Sequence, residues 1–123
     1  MVDHQIERKT ALLAKEKGFN WECNAVLNIY QDDSSSVGTY ALLRNSQLED
    51  NQCALPSQSY LQKWIRETHD IHILNSYIHS EPKKPYEFIV FNNKTKGWGI
   101  AEVYETYEEG FEAKLYEALK NIS

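Results

Sequence analysis

The chain reads as one α+β domain, residues 1–123, with helices packed on one face of a mostly antiparallel sheet. The expected element order is α-β-β-α-β-β-β-α. Three observations predict it. Apolar residues recur at helical spacing in three segments, and alternate or run unbroken in five others. Gly, Pro and Asn fall between those segments. The 41% hydrophobic and 25% charged composition is that of a folded globular chain, not a disordered one.

The first helix is expected over Asp3 to Lys17, where Ile6, Thr10, Leu13 and Ala14 share a face. Asp3 suits the N-cap, and Gly18 suits a left-handed stop with Phe19 folding back on Leu13 or Ala14. From Trp21 the period changes to two. Trp21, Cys23, Ala25, Leu27 and Ile29 alternate with polar residues, as on a strand with one buried face. The polar run Gln31 to Ser36 is a turn, Val37 to Arg44 a return strand, and Asn45 to Gln52 a surface loop.

Leu55 to Ser123 reads as α-β-β-β-α. Pro56 or Ser57 opens a helix that buries Leu61, Trp64, Ile65 and Thr68, exposes Gln62, Lys63, Arg66 and Glu67, and ends near His69 and Asp70. Ile71 to Ile78 is rich in β-branched and aromatic residues and reads as a strand. Pro82 and Pro85 belong to a turn, since proline donates no ladder bond. Tyr86 to Phe91 is apolar on both faces, as a central strand is. Trp98 to Tyr104 follows, weakened by Gly97 and Gly99. The last helix opens on Thr106 with Glu109 three residues on, a capping box, and buries Tyr107, Phe111, Leu115, Ala118, Leu119 and Ile122.

The formal net charge of −5 disfavours non-specific nucleic-acid binding, which Lys and Arg drive. The polar start is not a signal peptide, and no apolar run approaches the roughly 18 residues of a membrane helix, so a cytoplasmic location is expected. Cys23 and Cys53 form no metal spacing and read as reduced thiols, bridged only if the fold brings them together. His69, His72 and His79 lie close in sequence, but His72 and His79 differ by an odd number of positions and face opposite ways on a strand. His69 at a helix end suits a partly charged imidazole. Ser34, Ser35 and Ser36 lack a nucleophile-elbow pattern, and Gly97-Trp98-Gly99 lacks the rest of a phosphate loop. No catalytic, cofactor or metal site is expected.

Two surfaces remain. Tyr30, Tyr40, Tyr60, Tyr86, Tyr104 and Tyr116 are too many for the core, and Trp98 sits between glycines. Trp98, Tyr86, Tyr104 and Tyr116 are the candidate interaction surface. Lys83, Lys84, Lys94 and Lys96, in the two turns at one end of the meander, are a candidate basic patch.

Helix, three strands, helix is also the order of double-stranded-RNA-binding domains, and HicB-type antitoxins share a related core with a similar Thr-x-Glu-Glu helix opening. Where the RNA-binding family carries lysines, this chain has Tyr107-Glu108-Glu109. Segments 14–19, 55–73 and 106–109, with Ala113, Leu115, Ala118 and Leu119, resemble a family of short proteins of Bacteroides-type gut bacteria and their phages or mobile elements. Many of those relatives have Ala where this chain has Gly110. The resemblance implies a bacterial or phage accessory protein and carries over no site residue. The expected function is a small non-enzymatic interaction protein, acting on a protein partner or on itself. The alternative is a nucleic-acid-associated regulator of antitoxin type.

Overall fold

The structure, a computed structural model, describes residues 4–122, with Tyr40 and Ala41 described by their backbone. It contains three helices and two antiparallel sheets, in the α+β order expected, with one further short strand and the last strand divided in two.

The first helix, α1 (Arg8–Glu16), starts later than its periodicity suggests, and Asp3 lies outside the described residues. Tertiary bonds hold the preceding backbone extended. Ile6 N–H donates to Pro56 O at 3.2 Å, Gln58 N–H to His4 O at 2.6 Å, and Glu7 N–H to the Glu112 carboxylate at 3.0 Å. The helix stops as its sequence dictates. Gly18 takes φ +95°, and Phe19 N–H returns to Ala14 O at 2.9 Å, placing the Phe19 ring in the core.

The first sheet has order β2-β1-β3, formed by β1 (Cys23–Ile29), β2 (Ser35–Leu43) and β3 (Gln52–Ala54). Within 45–52, expected to be loop, lie a single 3-10 turn (Asn45–Gln47) and the start of β3. Asn45 makes this segment specific. Its buried amide donates to Phe19 O at 2.7 Å and accepts from Ala54 N–H at 2.8 Å. Leu27 is opposite Cys53, so Cys23 lies four residues along β1, about 13 Å away. That is too far for a disulfide, and both thiols are free and buried.

The second half is α2 (Gln58–His69), β4 (Ile71–Tyr77), β5 (Tyr86–Asn92), β6 (Gly97–Trp98), β7 (Glu102–Tyr104) and α3 (Tyr107–Lys120). α2 starts one residue after the expected Pro56 or Ser57, because Ser57 is its cap, accepting from Tyr60 N–H at 3.3 Å. Leu61, Trp64 and Ile65 are buried as expected, whereas Thr68 is exposed. Asp70 ends the helix in the left-handed region, so β4 starts immediately.

β5 is central, with β4 on one side and both β6 and β7 on the other. The expected strand 98–104 is broken because its register slips by one residue. Phe91 faces Trp98, whereas Phe88 faces Glu102, which leaves one residue extra among Gly99, Ile100 and Ala101. This is a bulge, held from behind by Lys114 Nζ, which donates to Ile100 O at 3.1 Å.

Thr106 Oγ1 accepts from Glu109 N–H at 3.1 Å to cap α3, which ends at Lys120. α3 packs against α1, α2 and the inner face of the second sheet. At Gly110 it comes close enough to the sheet that a Cβ would stand 2.5 Å from the Phe88 ring and 2.8 Å from the Tyr104 ring. Phe88 is 1% exposed and has no space to withdraw.

Two outcomes are expected. Trp64→Ala, removing a ring packed edge-on against Phe19 at 5.3 Å, should cost about 3–5 kcal/mol in urea unfolding. Gly110→Ala should destabilise despite its better helix propensity, because overpacking costs about 1–3 kcal/mol against a propensity gain of about 1. Phe88→Leu in the Gly110→Ala background should recover part of that loss.

Candidate interaction surface

Among the described residues the second sheet has helices on its inner face only. Alternation along β5 sends Phe88 and Val90 inward and Glu87, Ile89 and Phe91 outward. Register then assembles the outer face. One row is His72, Phe91 and Trp98; the next is Leu74 and Ile89; another is Ser76, Glu87 and Val103. The bulge keeps Trp98 and Val103 on the same side, although an odd number of positions separates them. Leu74 is 45% exposed, Trp98 61% and Ile100, in the bulge, 78%. Trp98 and Phe91 form a tilted ring pair with centroids 4.4 Å apart. The result is a contiguous apolar strip on an uncovered sheet face.

The four aromatics singled out from the sequence do not converge. Trp98 lies on this outer face. Tyr86 and Tyr104 lie on the opposite face, packed against the core, with Tyr86 edge-on to Tyr107 and Tyr104 edge-on to Phe88. Tyr116 is on α3, with the Lys9 and Lys120 ammonium groups over its ring at 4.9 and 5.6 Å. The sequence reading missed Leu74, Ile89, Ile100 and Val103. Alternation in 71–78 and 86–91 contained Leu74 and Ile89, but which face the helices cover is a tertiary fact.

The candidate basic patch is corrected. Lys83 and Lys84 lie in the loop before β5, and Lys94 and Lys96 in the turn after it. Successive turns of a meander fall at opposite ends, so the seven residues of β5 separate the pairs by about 20 Å. The pairs flank the outer face instead of forming one phosphate-binding surface.

The histidines are likewise dispersed. His69 packs edge-on against Trp64 at 5.0 Å. Burial, aided by the charge of Lys94, holds its pKa below the ordinary value, contrary to the partly charged cap expected. His72 Nε2 is 2.8 Å from Asp70 Oδ1, while Asp70 Oδ2 accepts from Asn93 at 2.7 Å. Those bonds, Asn93 first and then His72, lower the Asp70 pKa. His79 packs on Tyr77. No group of metal-ligating side chains converges among the described residues.

A cleft of about 790 Å³ runs between α2 and the Cys23 end of β1, lined by Glu22, Cys23, Leu42, Tyr60, Lys63 and Arg66 among others. Its thiol is not an activated nucleophile, because burial pushes the Cys23 pKa up to about 11. Glu22 is engaged by Arg44 at 3.0 Å. Lys114, 1% exposed at its side chain, donates to Glu102 at 2.6 Å and Glu117 at 3.1 Å. Burial works to lower its pKa, and the bonds to Glu102 and Glu117 overcome that and raise it. A lysine so held is a structural cation, not a nucleophile.

Among the described residues no helix is long and apolar enough to cross a membrane. Compared with known proteins, the chain matches no family model, no curated sequence and no solved structure.

Two measurements check this chemistry. In the folded protein at pH 8, Cys23 and Cys53 should react with a thiol reagent far more slowly than in denaturant, since burial raises both pKa values. The Lys114 bond lowers the Glu102 pKa, so this carboxylate stabilises the fold above its unfolded value and loses that effect as pH falls through its folded value. Glu102→Gln should therefore be less stable than wild type at neutral pH, and the gap should close as pH drops below about 4.

Proposed function

We propose that the protein is a small non-enzymatic interaction module whose binding surface is the outer face of the second sheet. The observation that carries this reading is the strip of Leu74, Phe91, Trp98, Ile100 and Val103 on a face no helix covers. The cleft offers no activated nucleophile, which favours binding over catalysis. The family resemblance, with its implied bacterial or phage accessory role, accords with this.

The partner that fits is a protein with an apolar centre and carboxylates at its ends. Lys83 and Lys84 stand at one end of the face and Lys94 and Lys96 at the other. A two-fold face-to-face pairing that aligns β5 with β5, parallel or antiparallel, sets lysine loops against lysine loops, which disfavours that mode of self-association. An acidic rim turns the same loops into attraction and faster association.

The test is retention from an extract of the encoding organism on immobilised wild type, Leu74→Lys and Trp98→Ala. One protein should bind wild type, weaken with added salt, and lose at least about tenfold in affinity in both variants. Equal retention by all three overturns the reading. Single-stranded RNA that binds wild type at low salt and is released by Trp98→Ala replaces it with the nucleic-acid reading, since exposed rings also stack bases. Turnover of a substrate, abolished by substitution in the cleft, overturns it in favour of an enzyme.

A further inference from the structure

We infer that the cleft between α2 and β1 binds a small phosphate monoester joined to a planar ring, a ligand of the nucleoside monophosphate class. The cleft exists because α2 packs elsewhere. Its apolar stripe of Leu61, Trp64 and Ile65 is buried against α3 and β4. Helical spacing puts Ser59, Gln62, Lys63 and Arg66 on the other side, and these line one wall of the cleft. Glu22, Cys23 and Asn24, at the start of β1, line the facing wall with Leu42 of β2. The volume of about 790 Å³ lies in the range of small-molecule sites, about 300–1,000 Å³. From Ser57 to Arg66 the wall follows α2 for about 13 Å.

Charge decides the class of ligand. Glu22 is the one carboxylate among the described lining residues, and Arg44 already engages it at 3.0 Å. Lys63 and Arg66 are exposed, and neither side chain has an ion pair or hydrogen bond among the described residues. The cleft therefore presents two unmatched cations about one helical turn apart. A phosphate monoester carries a charge of about −1.5 to −2 at neutral pH and matches both. The planar guanidinium of Arg66 suits two of its oxygens at once.

The rest of the lining suits a ring with polar edges. A hollow of about 550 Å³ shares Glu22, Leu42 and Tyr60 with the cleft and adds Trp21 and Arg44. Trp21 and Tyr60 are half-buried with ring centroids 5.4 Å apart, and Phe19 holds Tyr60 edge-on from the core at 6.3 Å. Held rings of this kind take a planar base by stacking. The Gln5 and Asn24 side-chain amides line the cleft with no bond to a described residue, and an amide both donates and accepts, as the edge of a heterocycle requires. A mononucleotide fits better than a strand. Further phosphates of a strand would pass the Lys63 and Arg66 pair on a chain of net charge −5, with Glu67 next on the same helix. No residue of the outer-face strip lines the cleft, so this site is separate from the proposed partner surface.

Amide NMR of the full chain, titrated with each of the four common ribonucleoside 5′-monophosphates, tests it. At least one should bind with a dissociation constant below about 1 mM and shift the amides of Asn24, Tyr60, Lys63 and Arg66. Its nucleoside and inorganic phosphate should each bind at least about tenfold more weakly. Combining Lys63→Gln with Arg66→Gln alters two exposed positions and should lower affinity at least about tenfold without moving the unfolding midpoint. If that variant fails to fold, salt decides on wild type, since affinity should fall as salt rises and a salt-independent affinity overturns the inference. No binding by any of the four at about 1 mM, shifts confined to residues outside the cleft, or a folded double variant of unchanged affinity also overturns it. Inorganic phosphate binding as tightly as the nucleotide reduces the cleft to a general anion site, and an RNA oligomer binding more tightly through the same amides makes it a strand site; either result overturns the mononucleotide assignment.

Discussion

The contact of Gly110 with Phe88 is the constraint on which the remaining architecture depends. α3 is the element that α1, α2 and the second sheet all share. Its distance from the sheet is set where a bare Cα meets the Phe88 ring, with Tyr104 beside it. A helix riding further out would open the layer that Phe111, Leu115 and Leu119 fill. Close packing then requires that polar groups carried into that layer be satisfied there.

Two charged side chains of α3 show how. Glu112 is 6% exposed and accepts from Glu7 N–H and from the Gln58 amide, which ties the entry of α1 and the start of α2 to one carboxylate. Lys114, on another side of the helix, gathers Glu102, Glu117 and Ile100 O and so anchors the bulged strand. Removing a partner from such a group leaves an uncompensated charge, whereas an apolar contact of similar size would tolerate sliding. These bonds therefore specify register more than they add stability. Along its apolar stripe α3 has several acceptable positions, and only one of them satisfies both charges.

The same two residues mark where sequence reading stops. Local signals were legible: the positive φ at Gly18, the Thr106 cap, the alternation of β1 and the central place of β5 all follow from nearby residues. Nothing beside Glu112 or Lys114 in the sequence marks them as buried, because Glu7, Gln58 and Glu102, which they bind, lie on other elements. β3 escaped notice for a similar reason. Three residues carry too little periodicity, and its pairing with β1 is supported by Asn45, whose buried amide cannot be told from a loop asparagine by sequence. At the candidate surface Trp98 was legible as an unusual ring between glycines. Its neighbours were not, because a face is exposed or buried only by the choice of where the helices pack. Likewise the lysine pairs are close in sequence and far apart in space, since a strand runs between them.

Two sheets, each with cover on one side, leave two different kinds of open surface, and the chain treats them differently. The outer face of the second sheet is apolar, but its third position is divided between two short strands by a bulge, and lysines stand at both ends. Bulges and flanking charge discourage indiscriminate sheet stacking while leaving the strip open to a partner of matching shape and opposite rim charge. β2 has the opposite character. It is long, and no charge and no proline occurs from Ser34 to Leu43. The charges at its ends are matched within the chain, Asp33 by Arg8 at 2.6 Å and Arg44 by Glu22 at 3.0 Å. Those pairs tie the turn before β2 to α1 and the residue after β2 to the start of β1, so the charged residues that flank the edge strand hold its two ends in place rather than presenting a charge pattern outward.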